Sequence, residues 1–176
     1  MSDYRYEYES GPGAQRGALV DTPADVWARR LAALTGAVFL VVGVLGFIPG
    51  ITQDLDQIEF AGHESGAELF GVFQVSILHN IVHLLFGIAG LVLARRANTA
   101  RAFLIVGGLI YLVLWVYGMV VDETSDQNFV PVNDADDWLH LGLGLGMLLF
   151  GLLTLPRRRD VDRAGRVPPR AGSAPT

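Results

Sequence analysis

The stretch that decides the fold is Glu68–Arg96, which reads ELFGVFQVSILHNIVHLLFGIAGLVLARR. It is long and apolar enough for a membrane-spanning helix, which needs about 20 mostly apolar residues. On a helical wheel, polar and small side chains form one stripe and branched aliphatic side chains lie opposite. Because polar and small residues in lipid pack against other helices, we predict a buried face on this helix. That face carries Glu68, Ser76, His79, His83, Gly87, Gly90 and Ala94.

Three further apolar runs resemble this one in length. Hydrophobic residues make up 51% of the 176 residues, and four such runs are more than a soluble domain of this size needs. The sequence therefore predicts an all-α polytopic membrane protein, a four-transmembrane-helix bundle forming one domain. The predicted spans are residues 27–49, 67–95, 100–121 and 136–156.

Charge is distributed unevenly around these spans. All 13 basic residues are arginine, and none lies in the connections 51–66 and 122–137, which are rich in Asp and Glu. Short loops rich in Lys and Arg stay in the cytoplasm. We therefore expect a multi-pass protein of the cytoplasmic membrane, with both termini inside and both acidic connections outside.

Local signals predict where ordered structure begins and ends. The tails, residues 1–21 and 157–176, lack apolar periodicity and are expected to be disordered and cytoplasmic. Helix starts are marked by two candidate capping boxes and by one candidate cap before the last span. These signals are Thr22-Pro23 with Asp25, Ser65 with Glu68, and Asn133 or Asp134.

A weak twofold pattern runs through the chain. Arg30 and Gly36 in the first span are spaced like Arg101 and Gly107 in the third, and the second and fourth spans both carry histidine. The pattern suggests a duplicated helical hairpin. In the glycine-rich fourth span, we expect Gly142 and Gly146 to form a second line of helix contacts.

Three histidines are the candidate functional residues. Counted back from the arginine clusters, His79 and His140 lie in the outer half of their spans, and His83 lies one turn deeper. Two imidazoles from opposed helices are what a b-type haem needs as axial ligands. Three imidazoles, with Asp137, are instead a candidate ligand set for zinc or another divalent metal.

Less specific roles fit the same residues. A histidine inside a membrane helix is costly and is retained for a reason, which can simply be a hydrogen bond between helices. Asn80, Ser76 and Glu68 would extend such a polar network, and a path for protons or small solutes is a further alternative. The absence of cysteine excludes disulfides and thiolate metal sites. Since no catalytic motif is recognisable, we do not expect an enzyme, nor a nucleic-acid partner.

Two segments resemble a known family. Leu78, His79, Asn80 and His83 precede a glycine-rich helix, and Asp137, Leu139 and His140 begin the last span. These motifs, over residues 27–156, closely resemble the bacterial four-span membrane proteins called domain of unknown function 4383. The resemblance implies a four-helix protein of the bacterial inner membrane and implies no activity.

Two hypotheses of different classes follow. The first is a non-enzymatic membrane scaffold or accessory subunit, with the lipid bilayer and either a second copy or a membrane complex as partners. The second is a redox subunit that binds haem or a metal through His79, His83 and His140.

Overall fold

The computed structural model describes residues 21–125 and 127–156. The predicted tails lie outside these residues, apart from Asp21, and so does Asp126 of the second connection. The described chain is mostly helical, with four helices and a small antiparallel sheet. The helices are α1 (Pro23–Leu45), α2 (Ile77–Leu93), α3 (Ala97–Val120) and α4 (Asp134–Leu153), and the strands are β1 (Thr52–Gln53), β2 (Glu68–Leu69) and β3 (Phe73–Gln74).

Three of these helices, α1, α3 and α4, are long and apolar enough to cross a membrane. The fourth, α2, is equally apolar but has only 17 residues. The helices pair as two hairpins, because α1 packs mainly against α2 and α3 packs mainly against α4. Phe39, Phe103, Leu104, Tyr111 and Met147 are among the buried side chains that join the hairpins in a common core.

Helix starts follow the local signals in two cases. The Thr22 side chain accepts a hydrogen bond from the Asp25 amide while the Asp25 carboxylate accepts one from the Thr22 amide, which is the predicted capping box. Asn133 and Asp136 make the same reciprocal pair at the start of α4. Each box satisfies amide groups that a helix leaves without partners in its first turn.

The predicted start of the second helix is wrong. Residues from Glu68 to Gln74 form a β-hairpin whose turn passes through Phe70 and Gly71, both at positive φ. The helix begins only at Ile77, with Ser76 as its cap. Glu68 therefore belongs to β2, where it pairs with Gln74, and it does not share the helical stripe. The Ser65 hydroxyl does not cap the second helix; it donates a hydrogen bond to the Val75 carbonyl.

The stripe is confirmed from His83 onward. His83, Gly87, Gly90 and Ala94 are buried, while Leu85 on the opposite side is 60% exposed. The face of α4 that contains His140, Gly144 and Met147 is likewise buried. The second contact line expected on α4 is absent from the described structure, since a Cβ added at Gly142 or Gly146 would have no neighbour within 4 Å.

The two hairpins repeat the same glycine contacts. A Cβ added at Gly36 would lie 2.8 Å from both the Gly87 carbonyl oxygen and the Leu91 nitrogen. A Cβ added at Gly108 would lie 2.8 Å from the Gly144 oxygen and 2.7 Å from the Leu148 nitrogen. The helix backbones thus touch at matching places in both hairpins. Gly36 therefore corresponds to Gly108 and not to Gly107, so the predicted register of the repeat is wrong by one residue.

The connections close one end of the bundle, which we call the loop end and define as residues 46–76 and 121–133. The Gly62 amide donates to the Phe129 carbonyl, and the Asn133 side chain donates to the Val72 carbonyl. At the opposite end lie Arg29, Arg30, Arg95, Arg96 and Arg101, and we call it the arginine end.

Candidate functional site

The structure brings the three predicted histidines together near the loop end. His79 and His83 occupy successive turns of α2, and their rings stack with centroids 4.4 Å apart and planes at 5°. His140 reaches toward them from α4, with its ring centroid 6.4 Å from that of His79. His140 is only 3% exposed. Imidazoles from two helices therefore share one interior region.

Two aromatic rings from the other helices complete this region. Phe39 of α1 lies 5.3 Å from His83, Tyr111 of α3 lies 5.3 Å from His140, and Phe39 and Tyr111 stack 5.4 Å apart. These distances join ring centroids and are typical of aromatic pairs. All four helices thus contribute to a closed circuit of five rings, which we call the histidine–aromatic layer (Phe39, His79, His83, Tyr111 and His140).

One histidine has a defined tautomer. The Nδ1 atom of His83 lies 3.0 Å from the backbone carbonyl oxygen of His79. A carbonyl oxygen can only accept a hydrogen bond, so Nδ1 must donate. In a neutral ring the lone pair is then on Nε2, which is the usual way in which a protein prepares an imidazole as a ligand or acceptor.

The other two histidines carry buried nitrogen atoms with no hydrogen-bond partner. These are the Nδ1 atoms of His79 and His140, neither of which is paired within residues 21–125 and 127–156. Most buried polar atoms in proteins have a partner, so each such atom calls for an explanation. Together with the Nε2 atom of His83, these two Nδ1 atoms are the ones in the histidine–aromatic layer that can bind a ligand.

Two cavities flank the layer, and all three histidines line both of them. One has a volume of about 210 Å³ and lies between α2 and α3, below Phe129 and Pro131 of the second connection. The other, of about 200 Å³, lies between α1, α4 and the sheet, and includes Asp136. The histidines therefore form a partition between two small, mostly apolar spaces.

These dimensions test the ligands suggested by the sequence. Each cavity is smaller than the roughly 300–1,000 Å³ of typical small-molecule sites, so a haem does not fit this arrangement of helices. In the described part of the chain, no three His, Asp or Glu side chains converge closely enough to hold a metal ion. A metal would need the rings to turn toward a common point, whereas a small polar molecule needs no such change.

The predicted acidic ligand does not join the histidines. Asp137 is buried, but it packs against Gly118 of α3 and lines neither cavity. Its neighbour Asp136 faces the second cavity and accepts a hydrogen bond from the Gln74 amide. Sequence reasoning missed Asp136, although its spacing from Asn133 marks a capping box.

The predicted polar network is divided in the structure. The buried Asn80 side chain donates to the Gly46 carbonyl at the end of α1, at 2.8 Å, although Asn80 also lines the second cavity. The Ser76 hydroxyl accepts from the His79 amide as a helix cap. Glu68 lies in the sheet and lines neither cavity. Asn80 and Ser76 therefore hold helix ends in place and border the cavities, whereas Glu68 does neither.

A buried ion pair lies at the arginine end, where the sequence predicted no functional site. Arg101 is only 5% exposed, and its guanidinium is 2.7 Å from the Asp25 carboxylate of α1. It also donates to the Thr154 carbonyl just after α4 and to the Asn98 side chain. The signal was available, since Arg101 is the single charged residue on the apolar helix α3.

Comparison with protein families assigns the chain. A family model described as domain of unknown function (DUF4383) matches residues 29–153. The chain belongs to this family. The matched DUF4383 region includes most of α1 and all of α2, α3 and α4, and therefore the whole histidine–aromatic layer. No curated protein and no solved structure matches the chain. The DUF4383 description carries no activity.

Proposed function

We propose that this DUF4383 protein is a four-span protein of the bacterial cytoplasmic membrane that acts as a non-enzymatic scaffold or accessory subunit. The observation that carries the proposal is the division of each helix into two faces. The buried faces hold glycine, histidine and aromatic side chains, whereas Leu85, Val113 and Leu153 are 60–69% exposed. In water such apolar surfaces would favour aggregation, and in a bilayer they would face lipid.

The shorter α2 counts as a span in this proposal because it runs beside α1. Gly36 and Gly43 of α1 approach the α2 backbone at Gly87 and Asn80 respectively. Two helices in close contact at both levels cross the same layer, and 17 residues is the lower end of the range for a spanning helix. The matched glycine contacts of the two hairpins also support a duplicated hairpin.

Orientation follows from the two ends of the bundle. The arginine end would face the cytoplasm and the acidic loop end would face outside, in line with the positive-inside rule. Both termini would then be cytoplasmic. The exposed apolar faces leave room for a second copy of the chain or another membrane subunit as partner.

Reporter fusions test this topology. Fusions after Thr52 and after Gln127 should be active as external reporters, and a fusion after Asn98 should be active only as a cytoplasmic one. A reversal at any of the three positions would refute the four-span orientation. A signal that is cytoplasmic at all three would refute insertion itself.

A second candidate function is ligand binding at the histidine–aromatic layer. The unpaired Nδ1 of His140 and the Nε2 of His83 favour a small polar ligand, and a divalent metal would bind only if the rings turned toward a common point. A haem would require the helices to separate. We therefore propose the scaffold as the first candidate function and the redox subunit as the second.

Metal analysis and an optical spectrum of the purified chain separate these candidates. Stoichiometric metal, or a Soret band, that disappears in His140→Ala would support ligand binding. His63→Ala is the matched control, because His63 lies in the first connection and lines neither cavity. A colourless, metal-free protein that takes up no added zinc would refute ligand binding and leave the scaffold as the remaining proposal.

A further inference from the structure

A cavity at the arginine end combines charge with apolar surface. It has a volume of about 400 Å³ and lies between the first turns of α1 and the last turn of α2. Three arginines line it, each with a positively charged guanidinium group: Arg29, Arg30 and Arg95. The remaining lining residues are apolar: Val26, Ala33, Leu91 and Ala94.

Two of these guanidinium groups lack a carboxylate partner within the described residues. Arg29 forms an ion pair with Asp21, at 2.7 Å, in which both side chains are about half exposed. Arg30 and Arg95 make no such pair, and the nearby Asp25 is already bonded to the buried Arg101. The cavity therefore carries positive charge that the described protein groups do not neutralise, and it favours an anion.

An aromatic side chain marks the level of this cavity. The Arg30 guanidinium lies over the Trp27 ring, 5.8 Å from its centroid, and Trp27 is itself exposed. Tryptophan is enriched at the boundary between lipid and water. The cavity would thus lie at headgroup depth in a protein that spans the membrane.

We propose that this cavity binds the headgroup of an anionic phospholipid. Arginine binds phosphate oxygens through paired hydrogen bonds, and basic pockets between helices on the cytoplasmic side are suited to such headgroups. The apolar lining, including Leu91, would contact the upper part of an acyl chain, which a free phosphate ion does not have. The site rests on the proposed membrane insertion, but it is separate from the histidine–aromatic layer.

Lipid titration of the full-length, detergent-purified chain tests the site. Phosphatidylglycerol should raise the Tm, and phosphatidylcholine should not. In the double variant Arg30→Gln/Arg95→Gln, we expect roughly 25-fold weaker phosphatidylglycerol binding, about fivefold for each arginine. Both side chains are exposed, so the variant should have an unchanged Tm without lipid.

Arg96→Gln is the matched control, since it removes the same charge one residue away and outside the cavity. Equal weakening by Arg96→Gln, or none in the double variant, would overturn the site. Inorganic phosphate that reproduces the stabilisation would also overturn it, in favour of a simple anion site. The reporter fusions fail separately: correct topology without phosphatidylglycerol preference refutes only the lipid site, and reversed topology refutes the orientation.

Discussion

The two hairpins of this protein have the same packing and different chemistry. In α1–α2 the backbones meet where Gly36 faces Gly87, and in α3–α4 they meet where Gly108 faces Gly144. A side chain at any of these positions would overlap the neighbouring helix. The requirement is purely steric, so it is satisfied in the same way in both halves.

The polar positions differ between the halves. Asn80 packs on Gly46 and donates to its carbonyl, whereas the equivalent Asp137 packs on Gly118 with one carboxylate oxygen unpaired within the described structure. Arg29 is a surface residue, whereas its equivalent, Arg101, is buried in an ion pair. Close backbone contact therefore determines the frame of each hairpin, and the residues around it take separate roles.

The largest expected effect is at the two equivalent arginines. Arg101→Met should lower the free energy of unfolding by about 3 kcal/mol, because it leaves the partly buried Asp25 carboxylate without its cationic partner and the Thr154 carbonyl without its donor. Arg29→Met removes an exposed pair and should cost less than about 1 kcal/mol. Denaturation in mixed micelles measures both. Equal losses would show that burial does not distinguish the two halves.

Glycine substitutions come next and test the equivalence itself. Gly36→Leu and Gly108→Leu should each destabilise the protein by about 2 kcal/mol, because the obstructing atoms belong to the neighbouring backbone and cannot move aside. Gly142→Leu is the control, since no atom lies within 4 Å of its added Cβ. If only one of the two variants loses stability, the hairpins are not structurally equivalent.

A smaller effect is expected when the halves are made alike at one polar position. Asp137→Asn gives the second hairpin the amide that the first has at Asn80, and this amide can donate toward Gly118. We expect a gain of about 1 kcal/mol in the free energy of unfolding. A loss of stability would mean that the carboxylate has a partner of its own and a role that Asn80 does not share.

The smallest effect is expected at the aromatic pair. Tyr111→Phe makes this position identical to its equivalent, Phe39, and keeps the ring stacking of the histidine–aromatic layer. Without a ligand, the stability should change by less than about 1 kcal/mol. A much larger change, or a loss of bound metal in this variant, would show that the phenol hydroxyl takes part in binding.

Much of the helical frame could be predicted from sequence because its signals are local. The capping box at Thr22 and Asp25 and the buried stripe from His83 to Ala94 depend on spacings within a few turns. The Ser65–Glu68 spacing met the same rule, yet this segment folds as a hairpin. Its strands are two residues long, and Leu69 and Val75 fill a small core beneath the sheet. A tertiary contact of this kind produces no periodic pattern in the sequence, so the hairpin could not be predicted from it.

The site was predicted in part for the same reason. A helical wheel identified His79 and His83 as neighbours, and the matching position of His140 in the last helix brought it to the same depth. A helical wheel describes a single helix, so it could not show that Phe39 and Tyr111, which lie on two other helices, complete the circuit of rings. It also could not choose between Asp136 and Asp137, whose contacts are with distant segments.

The pairing of the helices has a consequence for how the chain can be divided. A cut in the short turn between α2 and α3, at residues 95–96, would keep both close backbone contacts intact, since Gly36 with Gly87 and Gly108 with Gly144 each stay in one fragment. Each fragment would keep its own packed pair of helices, and the two would rejoin through the Asp25–Arg101 bond and the shared ring circuit. Such a molecule would behave as two helical hairpins joined by a covalent link.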